Sequence, residues 1–468
     1  MHIVANSSAR RDAGHSYQAS LSQDGKLSVT AAGGSEIAAS VFLDDQPIAD
    51  AFWSSLSPRL ADFGDIAVAV YAADRLCRRP NPQSLDWARE MEIEVPVREP
   101  QFWQGAVVSS QLQELLTFLT DDAWSIRFVQ RRGEARASEN PTLFEQPLEA
   151  PASAALFSGG LDSLAGLIAF LTENPSVNVA TFSAQTGKRI GKPQREQLRG
   201  IARIFPGRVT SAKASFGFRN RIGHNFDGEE RSQRTRGFAF QTFGVIAASL
   251  AGANDLMIFE NGVGAINLPY IESQLGSQCT RATNPVTLNM MSDLASSVLG
   301  TAFRVWLPYV LRTKGELCES LRATCTQSLI SESVSCDHFA LRVPGCDQCG
   351  ACGSCLLRRQ SLHTSKLGAY DRAAYLHAAV AEGEGPKHDG WFVLHAMDAQ
   401  VSRLRQGCVS ADPSNALLEA FPMLGEACVA LSRDGIEPRE LSSLFGRYCI
   451  EWEEFRATHK PPLGAVGR

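Results

Sequence analysis

The rhythm of apolar and polar positions changes twice along the chain. Up to about residue 130 it is mostly strand-like. SYQASLSQ and KLSVTAA flank Asp24-Gly25 and read as a hairpin, while Asp65 to Tyr71 and Glu92 to Val97 alternate or run apolar like further strands. Ser109 to Leu119 repeats with a helical period, and Trp124 to Val129 returns to a strand pattern. The stretch Gly133 to Ala154 is polar, holds three prolines and has no sustained period, so a boundary belongs there. Residues 1–148 are therefore expected to form an α+β accessory domain.

From Ala154 short apolar runs alternate with helical ones: AALF, LAGLIAFL, VNVATFSA, PQREQLRGIARIF, RVTSAKAS, FQTFGVIAASLA and DLMIFENG. Such alternation predicts an α/β fold with a parallel, Rossmann-like sheet covered by helices on both faces, over residues 149–372. Beyond about Tyr370 the pattern is helical, with amphipathic stretches at Trp391–Leu404, Asn415–Leu431 and Pro438–Thr458. Residues 373–468 are expected to form a helical extension.

The size of the chain, 468 residues, agrees with two or three domains at about 150 residues each. A net charge of -5 argues against bulk electrostatic binding of nucleic acid or an anionic membrane. Its most apolar runs, Leu164–Leu171 and Phe243–Leu250, fall far short of the roughly 20 residues that span a bilayer. The start of the sequence lacks the apolar core of a signal peptide, so a reducing cytoplasm is expected, with the 12 cysteines as thiols or metal ligands.

Two segments carry chemistry. Ser158-Gly159-Gly160-Leu161-Asp162-Ser163 lies between a buried strand and a helix. Glycines there permit positive φ and close approach of a ligand, and amides at a helix start attract anions, so a phosphate fits. The plain alternative is a tight turn with Asp162 or Ser163 as the helix cap. A Walker loop is excluded, because no Lys-Ser/Thr pair follows the glycines. The second segment holds Cys336, Cys346, Cys349, Cys352 and Cys355, five cysteines within 20 residues. Thiolates on CxxC knuckles suit tetrahedral Zn²⁺, with an iron–sulfur cluster or a redox pair as alternatives.

SGGLDS resembles the SGGxDS loop of the PP-loop ATP pyrophosphatases, which adenylate an oxygen and release pyrophosphate. CGACGSCLLRR, from Cys349 to Arg359, is similar to the CGxCxxCxxR ending of the QueC-like members, the 7-cyano-7-deazaguanine synthases. In that family the fourth ligand is a cysteine upstream in a Ser-Cys context. The resemblance thus implies a structural zinc on Cys336, Cys349, Cys352 and Cys355, leaving Cys346 as the spare or as a substitute for Cys336. The likeness spans roughly Ala152 to Tyr370. Ordinary QueC is much smaller; enlarged relatives with an added N-terminal region occur in bacterial antiphage systems, among them the QatC components of Qat, and this chain resembles those most.

The resemblance implies that Ser158, Gly159, Gly160, Leu161, Asp162 and Ser163 hold ATP, with Ser158, Asp162, Ser163 and Lys314 serving catalysis. Arg236, in RTRGFAFQTFGVIAASL, is expected near the nucleotide, in a stretch from Lys188 to Arg236 with 13 basic and 4 acidic residues. Glu260, Asn261 and Asn267 follow an apolar strand, where substrate contacts collect, and read as base-edge readers or as turn caps. Arg281 and Lys314 are further substrate-side candidates. The expected reaction is adenylation of a 7-carboxy-7-deazaguanine-like base by ATP with Mg²⁺, followed by transfer to ammonia or to an amine of a partner protein from the same defence operon. No acidic pair stands out as the Mg²⁺ site. The stripe Leu441, Leu444, Phe445 and Tyr448 reads as self-packing or as a surface for that partner. The competing readings are an RNA-modifying PP-loop enzyme and an ATP-binding scaffold without turnover.

Overall fold

The computed structural model describes residues 16–31, 36–79, 87–141, 153–187, 189–222, 230, 232–271, 279–338, 345–377 and 389–458. The expected boundary at 148/149 lies outside them, as do Lys188 and Arg231 of the basic stretch. The N-terminal part contributes strands β1 (Ser16–Leu21), β2 (Lys26–Ala31), β3 (Glu36–Asp44), β4 (Glu90–Val97) and β5 (Ala123–Gln130). Helices α1 (Gln46–Phe52), α2 (Pro58–Leu76), α3 (Pro100–Trp103) and α4 (Ala106–Thr120) join them. β1 and β2 form the expected hairpin, paired Leu21 to Leu27, with Gly25 taking the φ of 80° that its turn requires.

The segment Asp65–Tyr71 is helical, not a strand: it lies inside α2. Ser57 accepts a hydrogen bond from the Leu60 amide, and Pro58 opens the first turn. Residues from Leu60 to Asp74 are buried all round, against α7 and β4, so the helix has no polar face to betray its period.

The remainder alternates as the sequence predicts: β6 (Ser153–Leu156), α5 (Leu161–Glu173), β7 (Val179–Gln185), α6 (Gly191–Ile204), β8 (Val209–Ile222), α7 (Arg236–Leu250) and β9 (Asp255–Ile258). Then come α8 (Gly262–Ile266), α9 (Pro285–Leu299), β10 (Arg304–Trp306), α10 (Lys314–Ala323) and α11 (Gly353–Thr364). Helices α12 (Asp389–Cys408), α13 (Pro413–Ala420), α14 (Leu424–Ser432) and α15 (Pro438–Thr458) close the chain. The single helix expected over Asn415–Leu431 is two, because Pro422 has no amide to donate and bars continuation of the preceding turn.

Among the described residues the strands form one ten-stranded sheet in the order β10-β9-β6-β7-β8-β3-β2-β1-β4-β5. Strands β6 to β10 pair in parallel, and antiparallel pairing of β3 with β8 continues the sheet into the N-terminal part. Alternation assigns the faces. Ala154, Phe182, Leu256 and Ile258 pack with α2 and α7 in one core, while Ala155, Val179 and Met257 pack with α5 and α10 in another. Helices thus cover both faces, and the strand order reverses at β6, which has β7 on one side and β9 on the other.

Leu441, Leu444, Phe445 and Tyr448 are all buried within the larger core, so the stripe on α15 is internal packing and offers no partner a surface. Among the described residues no helix is long and apolar enough to cross a membrane.

Candidate functional site

The strand order reverses between β6 and β9, and open α/β sheets bind ligands beyond the carboxyl ends of strands at such a reversal. The glycine turn leaves β6 there. Gly159 has φ 82°, and a Cβ on it would sit 3.0 Å from Gln194 Cγ and 3.3 Å from the Gln194 nitrogen, so only glycine fits. Gly160 occupies the N-cap position of α5, without a side chain to bond the first amides, and neither Asp162 nor Ser163 caps the helix. Ser158 is exposed; its hydroxyl lies 3.1 Å from that of Ser163 and accepts from the Gly160 amide at 3.2 Å. Ser163 also donates to the Gly160 carbonyl at 3.0 Å. Leu161 points its side chain into the core, leaving only its backbone to face a ligand.

Three loops converge on Asp162. Lys314, at the start of α10 after β10, places Nζ 2.5 Å from Asp162 Oδ2. Asn261, just after β9, donates from Nδ2 to Asp162 Oδ1 at 3.0 Å and to Glu260 Oε1 at 2.8 Å, while its Oδ1 caps α8 by accepting from the Gly264 amide. Asn261 is 2% exposed and Lys314 7%. Burial works against the Lys314 ammonium, but Asp162 and Glu260 outweigh it and hold the amine charged. Burial first, and the Asp162 charge second, push the Glu260 carboxyl up to about 8, with Lys314 pulling the other way. Asp162 and Glu260 thus share one Asn261 amide, which reaches Asp162 across 99 residues of chain.

Other expected contacts fall elsewhere. Arg236 begins α7 and is exposed, 3.4 Å from Gln233 Oε1, outside the Asp162 cluster. Arg281 is committed to the N-terminal part, donating to the Phe118 carbonyl and pairing with Asp121 at 3.0 Å. Asn267 ends α8 in the left-handed region with φ 49° and donates to the Thr280 carbonyl, a turn cap. Within the basic stretch, Arg208 is spent on the carbonyls of Asn174 and Val177. Arg195, Arg199 and Lys213 line a cleft of about 420 Å³ between α6 and strands β7 and β8, together with Ser183, Gln185 and Gln194.

Two buried glutamines of α6 hold the turn, and neither stands among the residues expected from the sequence. Gln194 donates to the Ser158 carbonyl at 3.2 Å, and Gln197 donates to the carbonyls of Gly159 at 2.8 Å and Glu332 at 2.9 Å. Their signal is polar residues three apart, in PQREQLRG, on the face of an amphipathic helix that should be apolar.

The sulfurs of Cys336, Cys349, Cys352 and Cys355 lie within 4.8 Å of one another, and all four residues are buried. Tetrahedral zinc with bonds of about 2.3 Å would separate its sulfurs by about 3.8 Å. Cys349 and Cys355 are 3.9 Å apart, so the donor set fits a metal ion such as zinc. Amides of Ala351 and Cys352 donate to Cys349 Sγ, and that of Cys349 to Cys336 Sγ, as thiolates on a knuckle require. Cys346 lies outside the group. The arm leading into Cys336 runs along the glycine turn, where the Val334 amide donates to the Gly159 carbonyl at 3.1 Å. Buried Arg358, from the RR of the motif, ties this arm down through Ser333 and the Ile330 carbonyl and pairs with Asp371 at 3.0 Å.

A glycine turn, a paired ammonium and two carboxyl groups thus meet beyond the ends of β6 and β9. Compared with known proteins, the chain matches no family model and no curated protein.

Proposed function

We propose that this chain is a QueC-like PP-loop ATP pyrophosphatase of the enlarged, antiphage type, a C–N bond-forming ligase of the bacterial cytoplasm. The observation that carries the reading is the convergence of Asp162, Glu260, Asn261 and Lys314 from three neighbouring strand ends around the SGGLDS turn. A helix N-terminus with its first amides free of side-chain caps is an anion site, and it stands beside a buried ammonium. The amides from Gly159 to Ser163 take the phosphates of ATP. The cleft beyond Gln194 adjoins the turn and has room for the nucleoside end.

The carboxylate of a 7-carboxy-7-deazaguanine-like base attacks the α-phosphorus; pyrophosphate leaves and an acyl-adenylate forms. An amine then attacks the acyl carbon, AMP leaves, and the amine proton passes to solvent. Positioning and charge neutralisation do most of this work. Lys314 offsets phosphate charge. Asp162 and Glu260 supply the hard oxygen donors that would hold Mg²⁺, which would then neutralise the triphosphate further. Zinc on the four cysteines has no open position, so its role is structural. The amine is ammonia, as in nitrile synthesis, or that of a partner protein.

Purified protein with ATP, ammonia and 7-carboxy-7-deazaguanine should form AMP and pyrophosphate in equal amounts only when the acid is present. Release of ADP and phosphate instead, or AMP formation indifferent to the acid, overturns this reading.

A further inference from the structure

The C-terminal helix α15 reaches into the site, and the cluster around Asp162 does not by itself explain why. Glu451 is 7% exposed, although its neighbours in EWEEF suggest a solvated tail. Its carboxylate accepts from the Thr313 hydroxyl on one oxygen and from Gln360 Nε2 at 2.8 Å on the other. Thr313 is the N-cap of α10: its hydroxyl accepts from the Glu316 amide at 3.1 Å, and its own amide donates to Glu316 Oε2 at 2.8 Å. One turn earlier on α15, Arg447 donates to Glu316 Oε1 at 2.6 Å and to the Leu311 carbonyl at 2.6 Å.

Arg447 therefore grips both ends of the segment Leu311–Glu316, and Glu451 holds its middle at Thr313, the residue before Lys314. The approach is tight enough to exclude side chains. A Cβ on Gly315 would lie 2.8 Å from Glu451 Oε2. On the opposite flank, a Cβ on Gly262, the residue after Asn261, would lie 1.8 Å from the Val310 carbonyl oxygen and 2.5 Å from Leu444 of α15. Gln360 belongs to α11, the helix that starts at the cysteine knuckle. One helix thus braces the Lys314 turn, the Asn261 turn and the knuckle helix together.

A plain packing helix needs only its apolar stripe, which α15 has. A buried carboxyl needs partners on its oxygens, and Glu451 finds them on the cap of α10 and on the knuckle helix, which ties α15 to both. We infer that Glu451 and Arg447 are positioning residues that fix the Lys314 ammonium against Asp162, making the C-terminal extension an integral part of the site. The catalytic consequence rests on the ATP-cleaving function proposed above; the geometric one does not.

The test uses the full chain with Glu451→Ala and Thr313→Val, and Thr313→Ser as the conservative rescue. Leu417→Ala, which loosens the same bundle away from the Leu311–Glu316 segment, serves as the control for general destabilisation. The first readout is acetylation of Lys314 by an N-hydroxysuccinimide ester, followed by mass spectrometry. Glu451→Ala and Thr313→Val should raise its rate about tenfold, the amount that about 1.4 kcal/mol of lost anchoring gives. Thr313→Ser and Leu417→Ala should leave it at the wild-type rate, although Leu417→Ala lowers Tm. The second readout is AMP formation, where the first two variants should lose about tenfold in kcat with KM for ATP unchanged. Wild-type acetylation in both variants, or equal exposure in Leu417→Ala, overturns the positioning role. A wild-type protein that forms no AMP sinks the ATP-cleaving function alone, since the acetylation pattern still decides the geometry.

Discussion

Lys314 Nζ lies 2.5 Å from Asp162 Oδ2, joining the turn after β6 to the turn after β10 across the strand between them. Both side chains are largely withdrawn from water, at 8% and 14% exposure. A pair so placed contributes little net stability, because its attraction offsets the desolvation of two charges. Its significance lies in what happens when one partner is lost.

Asp162→Ala strands a buried ammonium, a change that typically costs about 3–5 kcal/mol. The double variant Asp162→Ala/Lys314→Met removes both charges and should recover most of that loss in urea unfolding. AMP formation should vanish in either. Equal unfolding midpoints for the single and double variants would show that the ion pair is not closed in the folded protein.

The two raised carboxyls set a pH dependence. Glu260 goes from its ordinary 4.5 to about 8, chiefly through burial, and Glu451 from 4.5 to about 7, again chiefly through burial. A carboxyl raised on folding contributes stability that is complete below its unfolded value and is lost as pH climbs through its folded value. For Glu451 that loss ends near pH 7, and for Glu260 near pH 8. Glu260→Gln should therefore flatten the fall of Tm between pH 7 and pH 8 and reduce it below pH 7, where Glu451 still contributes its share. Coincident Tm profiles for variant and wild type would contradict the Glu260 shift.

The cysteine cluster predicts its own stoichiometry. Metal analysis should find about one zinc per chain, and Cys349→Ser or Cys352→Ser should lose it and aggregate, since zinc on such sites supplies roughly 10 kcal/mol or more of folding free energy. Cys346→Ser should keep both metal and solubility, because Cys346 stands outside the four. Metal loss in Cys346→Ser would reassign the ligands.

What the sequence showed and what it hid follow one physical line. Strands β6, β7 and β9 were legible because short apolar runs bounded by polar turns have few alternatives, and the CxxC spacing announced its knuckle. Helix α2 was hidden by burial on every side, which erases the helical period. Ser158 to Ser163 stood out as one contiguous motif, whereas Glu260 and Asn261 became partners of Asp162 only through strand order. Arg281 looked like a ligand contact because an isolated arginine in a loop carries no sign of the Asp121 it pairs with, 160 residues away. Glu451 was invisible for the same reason: only the fold sets it on Thr313.

Gln197 ties the arm that leads to Cys336 to the glycine turn, and this link yields the last prediction. Its Nε2 bridges the carbonyls of Gly159 and Glu332, and the Val334 amide adds a second bond to Gly159. The arm carrying Glu332 and Val334 ends at Cys336, so a metal held there also holds the turn's shape. Gln197→Met keeps the volume and removes both donations, leaving the Gly159 carbonyl on the Val334 amide alone, which should cost about 1 kcal/mol. If the turn is preorganised for ATP by this bridge, KM for ATP should rise several-fold, and partial zinc removal with a chelator should reproduce that rise. Unchanged KM in Gln197→Met, with stability lowered as expected, would mean that the turn keeps its geometry through Gly159 and Gln194 alone.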